Sequence, residues 1–282
     1  MAFLLALASS VLYGTADFRG GFASRRAAVV AVTALSQAAG LALLLAALPF
    51  VPGMVRASDL AWAVAAGLTG SGGVVLLYRA LALGTVSAVA PLVSLVAIAV
   101  PVAVGLAAGE RPGGAALTGI ALGAAAVVLL GRTAERDAPP SRESTRVLPI
   151  AIASGVLIGG FLVCIGRIGA GCGLLPLVVA RGTGTALFAL LALVRRTPLR
   201  PALAAWPLAA GCAAADVSAN VLFLLAAQRG AMSVVATIVS LAPASTVLLA
   251  QLVLRERLAR AQQAGVVLAL VAVGLLARGA GK

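Results

Sequence analysis

The chain has 282 residues, 62% hydrophobic and 10% charged, with a mean hydropathy of +1.13 and a net charge of +13. Soluble domains carry about 25% charged residues, so a water-soluble fold is excluded and the bilayer becomes the solvent. The basic excess, 21 residues against 8 acidic, sits mostly at the ends of apolar segments and builds no basic face with aromatic platforms, which argues against nucleic-acid binding.

Ten apolar segments follow one another, each near the roughly 20 residues a helix needs to cross a membrane. They run approximately 2–22, 28–50, 60–83, 86–108 and 114–131, then 147–170, 174–194, 203–227, 231–254 and 262–278. They are too long for strands and do not alternate polar with apolar. No basic stretch precedes the first segment, so it reads as a span rather than a cleaved signal. It contains Tyr13 and Asp17 and ends at Ser24-Arg25-Arg26. The second contains Gln37, and Pro49, Pro52-Gly53 and Arg56 separate it from the third. The third carries Trp62 near its start and Tyr78 and Arg79 near its end, and the fourth holds Pro91, Ser94 and Pro101. Glu110-Arg111-Pro112-Gly113-Gly114 turns the chain into the fifth.

Arg132 to Arg146 is the longest polar stretch, with Pro139-Pro140, and reads as a linker with no packed domain of its own. In the second part, Arg181 lies well inside the seventh segment, which Arg195-Arg196-Thr197-Pro198 terminates. Trp206, Asp216 and Asn220 belong to the eighth, and Ser240, Pro243 and Gln251 to the ninth. Arg255-Glu256-Arg257 precedes the tenth. Cys164, Cys172 and Cys212 form no CxxC pair and histidine is absent from the sequence, so neither a zinc nor a haem site is expected.

The two parts are copies. Shifting the sequence by 146 residues superimposes Gly84, Ser87, Ser94-Leu95, Glu110-Arg111, Gly119 and Arg132 on Gly230, Ser233, Ser240-Leu241, Glu256-Arg257, Gly265 and Arg278. Gly14 falls on Gly160. Each copy holds five segments, an odd number, so the second enters the membrane inverted relative to the first. The expected fold is an all-α integral membrane protein of ten transmembrane helices in two inverted five-helix repeats. The repeats occupy 1–132 and 147–282, joined by the linker 133–146, and form one transport domain. Gly-x-x-x-Gly occurs five times, for example at Gly119/Gly123 and Gly155/Gly159, against roughly four expected by chance, and supports no dimerisation claim. A monomer is compatible with this sequence, and the oligomeric state is left open.

Polar groups inside the spans mark the candidate site. A carboxylate near a helix centre costs roughly 3 kcal/mol on insertion scales. Asp216 is deep in its segment, with Asn220 one turn on along the same face. Asp17 lies closer to a segment end. Arg181 and Arg79 are the two basic residues that could neutralise Asp216, and Arg181 is the deeper. Tyr13, Gln37, Tyr78, Ser94 and Ser240 complete the candidates for substrate binding or coupling, as does Gln251 for helix contacts. Ser94 and Ser240 are repeat-related and should approach the pseudo-two-fold axis. The costly residues break the repeat: Asp17 aligns with Val163, Asp216 with Gly70, Asn220 with Val74 and Arg181 with Leu35.

Five spans duplicated in inverted order, with a glutamate closing the fourth and ninth, resemble EamA-type transporters of the drug/metabolite transporter superfamily. The resemblance is carried by Ala82-Leu83-Gly84 through Glu110-Arg111, and by Ser233 through Glu256-Arg257-Leu258. Tyr13-Gly14-Thr15-Ala16-Asp17-Phe18 is similar to the family's Trp-Gly opening, with Tyr in place of Trp. The resemblance implies a ten-helix basket with a central cavity that moves small metabolites across the cytoplasmic membrane, with both termini in the cytoplasm. The arginine count opposes that orientation. Arg25, Arg26, the linker arginines, Arg195, Arg196, Arg200, Arg255, Arg257 and Arg260 lie on the side away from the termini, against Arg56, Arg111, Arg229, Arg278 and Lys282 on the termini side.

The expected function is therefore a secondary transporter exporting a small polar metabolite or drug by alternating access, with membrane lipids and a small-molecule substrate as partners. No cofactor is expected; coupling to a proton is open to Asp216. Arg181 would suit an amphoteric or anionic substrate, and the 4% aromatic content argues against an aromatic cage. The alternatives are a membrane scaffold or lipid-flipping protein without a solute pathway and, less favoured, a membrane-embedded enzyme.

Overall fold

The computed structural model describes residues 1–24, 28–83, 86–131, 144–198, 204, 206–254 and 258–279. Gly84, Arg25, Arg26, Arg132, Arg200, Arg255, Glu256, Arg257, Lys282 and residues 133–143 of the linker lie outside the described residues. The described chain is helical throughout, without strands. α1 is Ala2–Ser24, α2 Val29–Ala47 closed by a 3-10 turn Leu48–Phe50, α3 Ala57–Leu83, α4 Val86–Ala107 and α5 Gly114–Leu130. The second part contributes α6 Ser144–Gly166, α7 Leu175–Val194, α8 Trp206–Ala227, α9 Met232–Val239, α10 Ala242–Leu254 and α11 Arg260–Gly279. Seven of the stretches are long and apolar enough to span a membrane, α9 and α10 together forming one of them, and Leu92–Ala107 and Gly114–Leu130 are shorter apolar helices. These segments are helical because the bilayer core offers no partner to an unpaired backbone N–H or C=O.

The ninth apolar segment is two helices rather than one. Pro243 has no N–H to donate, and its ring opposes the carbonyl one turn earlier. After the last i→i−4 bond, Ser240 N to Ala236 O at 2.9 Å, the end of α9 tightens, with Leu241 N donating to Ile238 O at 3.1 Å. The break is packed against α1. A Cβ on Gly14 would lie 2.6 Å from Ala242 O and 2.6 Å from Ser245 Cβ, and Thr246 Oγ1 donates to Gly14 O at 3.1 Å. In contrast, α4 continues through both Pro91 and Pro101. The sixth segment also differs from its sequence-based limits. It begins at Ser144, inside the expected linker, and stops at Gly166, where the glycine-rich turn with Gly171 (φ +78°) and Gly173 (φ +64°) begins.

Each helix packs mainly on helices of the other half. α1 lies along α8 as α3 lies along α6, α2 meets α8 as α7 meets α3, and α4 meets α6 as α9 and α10 meet α1. The pairs α5–α11 and α2–α7 are their own counterparts under this exchange. The α5–α11 seam shows the exchange at atomic detail. A Cβ on Gly119 would lie 2.8 Å from Leu276 Cγ and 3.1 Å from Ala272 O; one on Gly265 would lie 2.9 Å from Leu130 Cγ and 3.1 Å from Ala126 O. Gly119 and Gly265, Ala126 and Ala272, and Leu130 and Leu276 are each 146 residues apart. Gly155 and Gly159 serve the α6–α4 crossing, with would-be Cβ atoms 2.7 Å from Val93 O and 2.8 Å from Ala97 O. These Gly-x-x-x-Gly pairs are therefore spent on contacts inside the chain.

One end of the bundle is tied together by hydrogen bonds to backbone. Glu110, in the turn after α4, accepts from Met232 N at 2.6 Å, from Ser233 N at 3.0 Å and from Ser233 Oγ at 2.5 Å. It thus caps α9 across the two halves, placing negative charge where the helix exposes unpaired N–H groups. Buried Asp59 at the start of α3 accepts from Arg56 N at 3.0 Å and Gly169 N at 2.9 Å, and Gln228 Nε2 donates to Gly169 O at 2.9 Å. Met54 N donates to Gly171 O at 3.1 Å.

Two outcomes follow from this packing. Residues 1–143 expressed alone should remain protease-sensitive, whereas coexpression with 144–282 should yield a copurifying, protease-resistant complex; a resistant half on its own would contradict the interdigitated core. Glu110→Ala should lower unfolding free energy in mild detergent by about 2 kcal/mol, since it removes a charged acceptor and leaves the α9 donors unpaired. Equal stability of wild type and variant would remove the cap from any account of the fold.

Candidate functional site

A cavity of about 290 Å³ lies in the middle of the bundle, between the halves. Its lining comes from α1, α2, α3, α6, α7 and α8. These six helices enclose a space because they cross at small residues and then diverge. At the α3–α7 crossing, a Cβ on Gly67 would lie 2.5 Å from Ala180 O and 2.6 Å from Thr183 Cβ.

One wall is polar. Arg181, on α7, forms an ion pair with Asp216 on α8 and donates from Nη1 to Gln37 Oε1 on α2 at 2.5 Å. Asn220, one turn beyond Asp216, donates from Nδ2 to the Asp216 backbone carbonyl at 2.8 Å and to its Oδ2 at 3.3 Å. The network joins three helices from two halves. Its side chains are partly covered, Arg181 13% and Asp216 27% exposed, so the pair is neither freely hydrated nor fully desolvated. Such a pair gains more from Coulomb attraction than a surface pair and loses less hydration than a deeply buried one. Gly40 makes room for it. A Cβ there would lie 2.6 Å from Arg181 Nη2 and 2.7 Å from Nε.

Asp17 and Tyr13 face the same cavity from α1. Asp17 is exposed and has no hydrogen-bond or ion-pair partner among the described residues. Tyr13 Oη is buried without a hydrogen-bond partner. The opposite wall is mostly apolar, with Gly70 and Val74 from α3, and Ile158, Phe161 and Ile165 from α6. Gly70 and Val74 are the repeat counterparts of Asp216 and Asn220. The exchange of halves thus brings equivalent positions to one cavity and gives its two sides opposite chemistry.

The remaining sequence candidates lie elsewhere. Tyr78 Oη is 3.1 Å from Thr33 Oγ1, where it links α3 to α2. Ser94 and Ser240 are half-buried on α4 and at the end of α9, and neither lines the cavity. Arg79 and Gln251 are exposed. Ser71, Gly40 and Phe161 belong to the site or its support but were not singled out from sequence. Ser71 could have been found from the repeat, as it sits beside the counterpart of Asp216. Phe161 and Gly40 carry no such signal, being one apolar residue among many and one glycine of 32.

Comparison with known proteins agrees with this architecture. The sequence model of the EamA-like transporter family matches residues 1–132 and 146–278. A solved structure described as "Crystal structure of protein" superimposes with a TM-score of 0.78 at 20% identity, covering 99% of this chain and 97% of that one. At that identity the likeness shows the fold alone. No match was found among curated protein sequences.

The close fit of Gly40 against Arg181 is testable with a matched pair of variants. Gly40→Ala should push the guanidinium off Gln37 and Asp216, forfeiting charged hydrogen bonds of about 1.5–3 kcal/mol while gaining up to about 1 kcal/mol of helix propensity. A net loss of about 1 kcal/mol is expected in detergent unfolding. Gly182→Ala, where the nearest atom is 4.0 Å away, should be neutral or stabilising.

Proposed function

Because the chain belongs to the EamA-like transporter family, and is a multi-pass helical membrane protein, we propose that it is a secondary transporter exporting a small polar metabolite or drug by alternating access around the central cavity. The observation that carries this reading is the Arg181–Asp216–Gln37–Asn220 network, which lines the cavity between the halves. A polar network at membrane depth is costly and sits where a solute path needs it. Substrate sites of inverted-repeat transporters lie at this position, between repeats and near the bilayer midplane.

Several features support ten spans in two inverted five-helix repeats. The α5–α11 seam exchanges residue for residue under the 146-residue shift. α1 begins at the hydrogen-bonded end of the bundle, where Ala2 meets Gly230, whereas α6 finishes at that end, where Gly166 meets Met232. The repeats 1–132 and 147–282 then form one moving body pair, joined by the linker. We place the protein in the cytoplasmic membrane with both termini cytoplasmic. Among the described residues, Glu110, Asp59 and Gln228 tie one end of the bundle, so access to the cavity from that end would require releasing these contacts.

In this mechanism Asp216 is the exchanging carboxylate. A coupling proton competes with Arg181 for it, and Gln37 and Asn220 hold the two partners in register when the site is empty. Asp216→Asn should abolish transport in proteoliposomes while leaving expression and membrane insertion unchanged. Asp216→Glu should retain measurable transport, since it keeps the charge. Full transport by Asp216→Asn would remove Asp216 from the mechanism.

A further inference from the structure

Among the described residues the cavity has one carboxylate more than its cations can balance. Asp17 and Asp216 both line it, and Arg181 is the one described basic residue that does so. Arg181 is committed, bound to Asp216 on one side and Gln37 on the other. It is therefore a poor receptor for a substrate anion, which reverses the expectation drawn from its presence in the sequence. The other basic residues of these helices whose side chains are described do not compensate. Arg19 projects against Gly211 of α8 and Arg79 is exposed, and neither lines the cavity. Asp17 is left exposed to the cavity and without a partner among the described residues.

A second, independent feature points to a ligand at the same place. Tyr13 lies one turn before Asp17 on α1, so the two side chains share a helix face. Its hydroxyl is buried and unpartnered, although buried polar groups in native structures are nearly always hydrogen-bonded. A phenol oxygen can accept from an N–H donor. Val74, Ile158 and Phe161 add apolar lining to the same cavity. The cavity volume of about 290 Å³ lies at the small end of ligand pockets, about 300–1,000 Å³.

We propose that the substrate is a small organic cation, an amine with a compact apolar body, whose ammonium group binds Asp17 and Tyr13 while its body rests on Val74, Ile158 and Phe161. This rests on the reading of the cavity as the solute site. Charge decides the selectivity. A cation completes the pairing that Asp17 lacks, a neutral isostere leaves the carboxylate unpaired, and an anion adds repulsion. The apolar wall supplies burial without direction, so it tolerates different bodies of similar size. The polar wall sets the class of head group.

The test uses the full-length protein in nanodiscs and three isosteric probes: 2-phenylethylamine, 2-phenylethanol and phenylacetate. Thermal-shift titration should show the amine binding at least about tenfold more tightly than the alcohol or the acid, as expected for one close charge pair. Asp17→Asn should erase that preference and Asp17→Glu should keep it, which guards against a variant that merely folds poorly. Equal or tighter binding of the acid or alcohol overturns the proposal, as does the absence of binding by all three.

A labelling experiment separates failure of this substrate class from failure of the cavity reading. Val74→Cys is placed in a background with Cys164, Cys172 and Cys212 changed to Ala. It is treated with trimethylammonium-ethyl or sulfonatoethyl methanethiosulfonate, each rate normalised to a free thiol. The cationic reagent should react at least about tenfold faster, and Asp17→Asn should narrow the ratio. Equal rates, or a faster anionic reagent, overturn the cation class and leave the cavity as the solute site. No labelling by either reagent overturns both.

Discussion

Hydrocarbon gives this bundle little reason to assemble. Hiding a leucine from lipid behind another leucine gains almost nothing, so helices in a membrane are held by close packing and by polar cross-links. Most of the close packing here runs between the halves. Gly119 and Gly265 bring α5 and α11 together, Gly155 and Gly159 seat α6 on α4, and Gly14 receives the broken segment of α9 and α10. Buried hydroxyls add directional links: Ser9 donates to Ala219 O at 2.8 Å and Ser154 to Gly73 O at 2.8 Å. Each half is thereby the packing partner of the other, and the bundle has no core that belongs to one copy alone.

The cavity is a consequence of that interdigitation. Helices that touch at small residues separate beyond them, and six of them enclose a space in which repeat-related positions face one another. The two halves differ in chemistry at those positions. Gly70 and Val74 on one side answer Asp216 and Asn220 on the other. A symmetric scaffold thus presents an asymmetric interior, with a directional polar wall and a permissive apolar one. Gly119 and Gly265 keep the α5–α11 seam alike in the two halves, whereas Gly155 and Gly159 of the α6–α4 crossing fall on Ser9 and Tyr13.

The same division explains the ends of the bundle. Glu110 caps α9 through three hydrogen bonds, and Asp59 and Gln228 hold the turn around Gly169. These contacts are polar and made mostly to backbone groups at helix termini and turns. Contacts of that kind suit a closure that must be reversible, whereas the glycine seams suit surfaces that slide or rock as units.

The sequence by itself determined the solvent, the helical class, the duplication and the residues too expensive to be ordinary lining. Composition and hydropathy decide those, because the bilayer's demand for backbone hydrogen bonding and the insertion cost of charge act on each segment alone. Asp17, Arg181, Asp216 and Asn220 were legible for that reason. Only the tertiary structure decided who meets whom. That Arg181 is engaged by Asp216 and Gln37, that Asp17 is left over, that Tyr78 binds Thr33, and that Gly40 clears space for a guanidinium depend on three or more helices converging. Spacing along one helix carries no information about its neighbours. The split of the ninth segment lies between the two cases. Pro243 announces a missing hydrogen bond in sequence, as Pro91 and Pro101 do. Whether the helix continues or breaks depends on what packs against the gap, and Gly14 and Thr246 do so here.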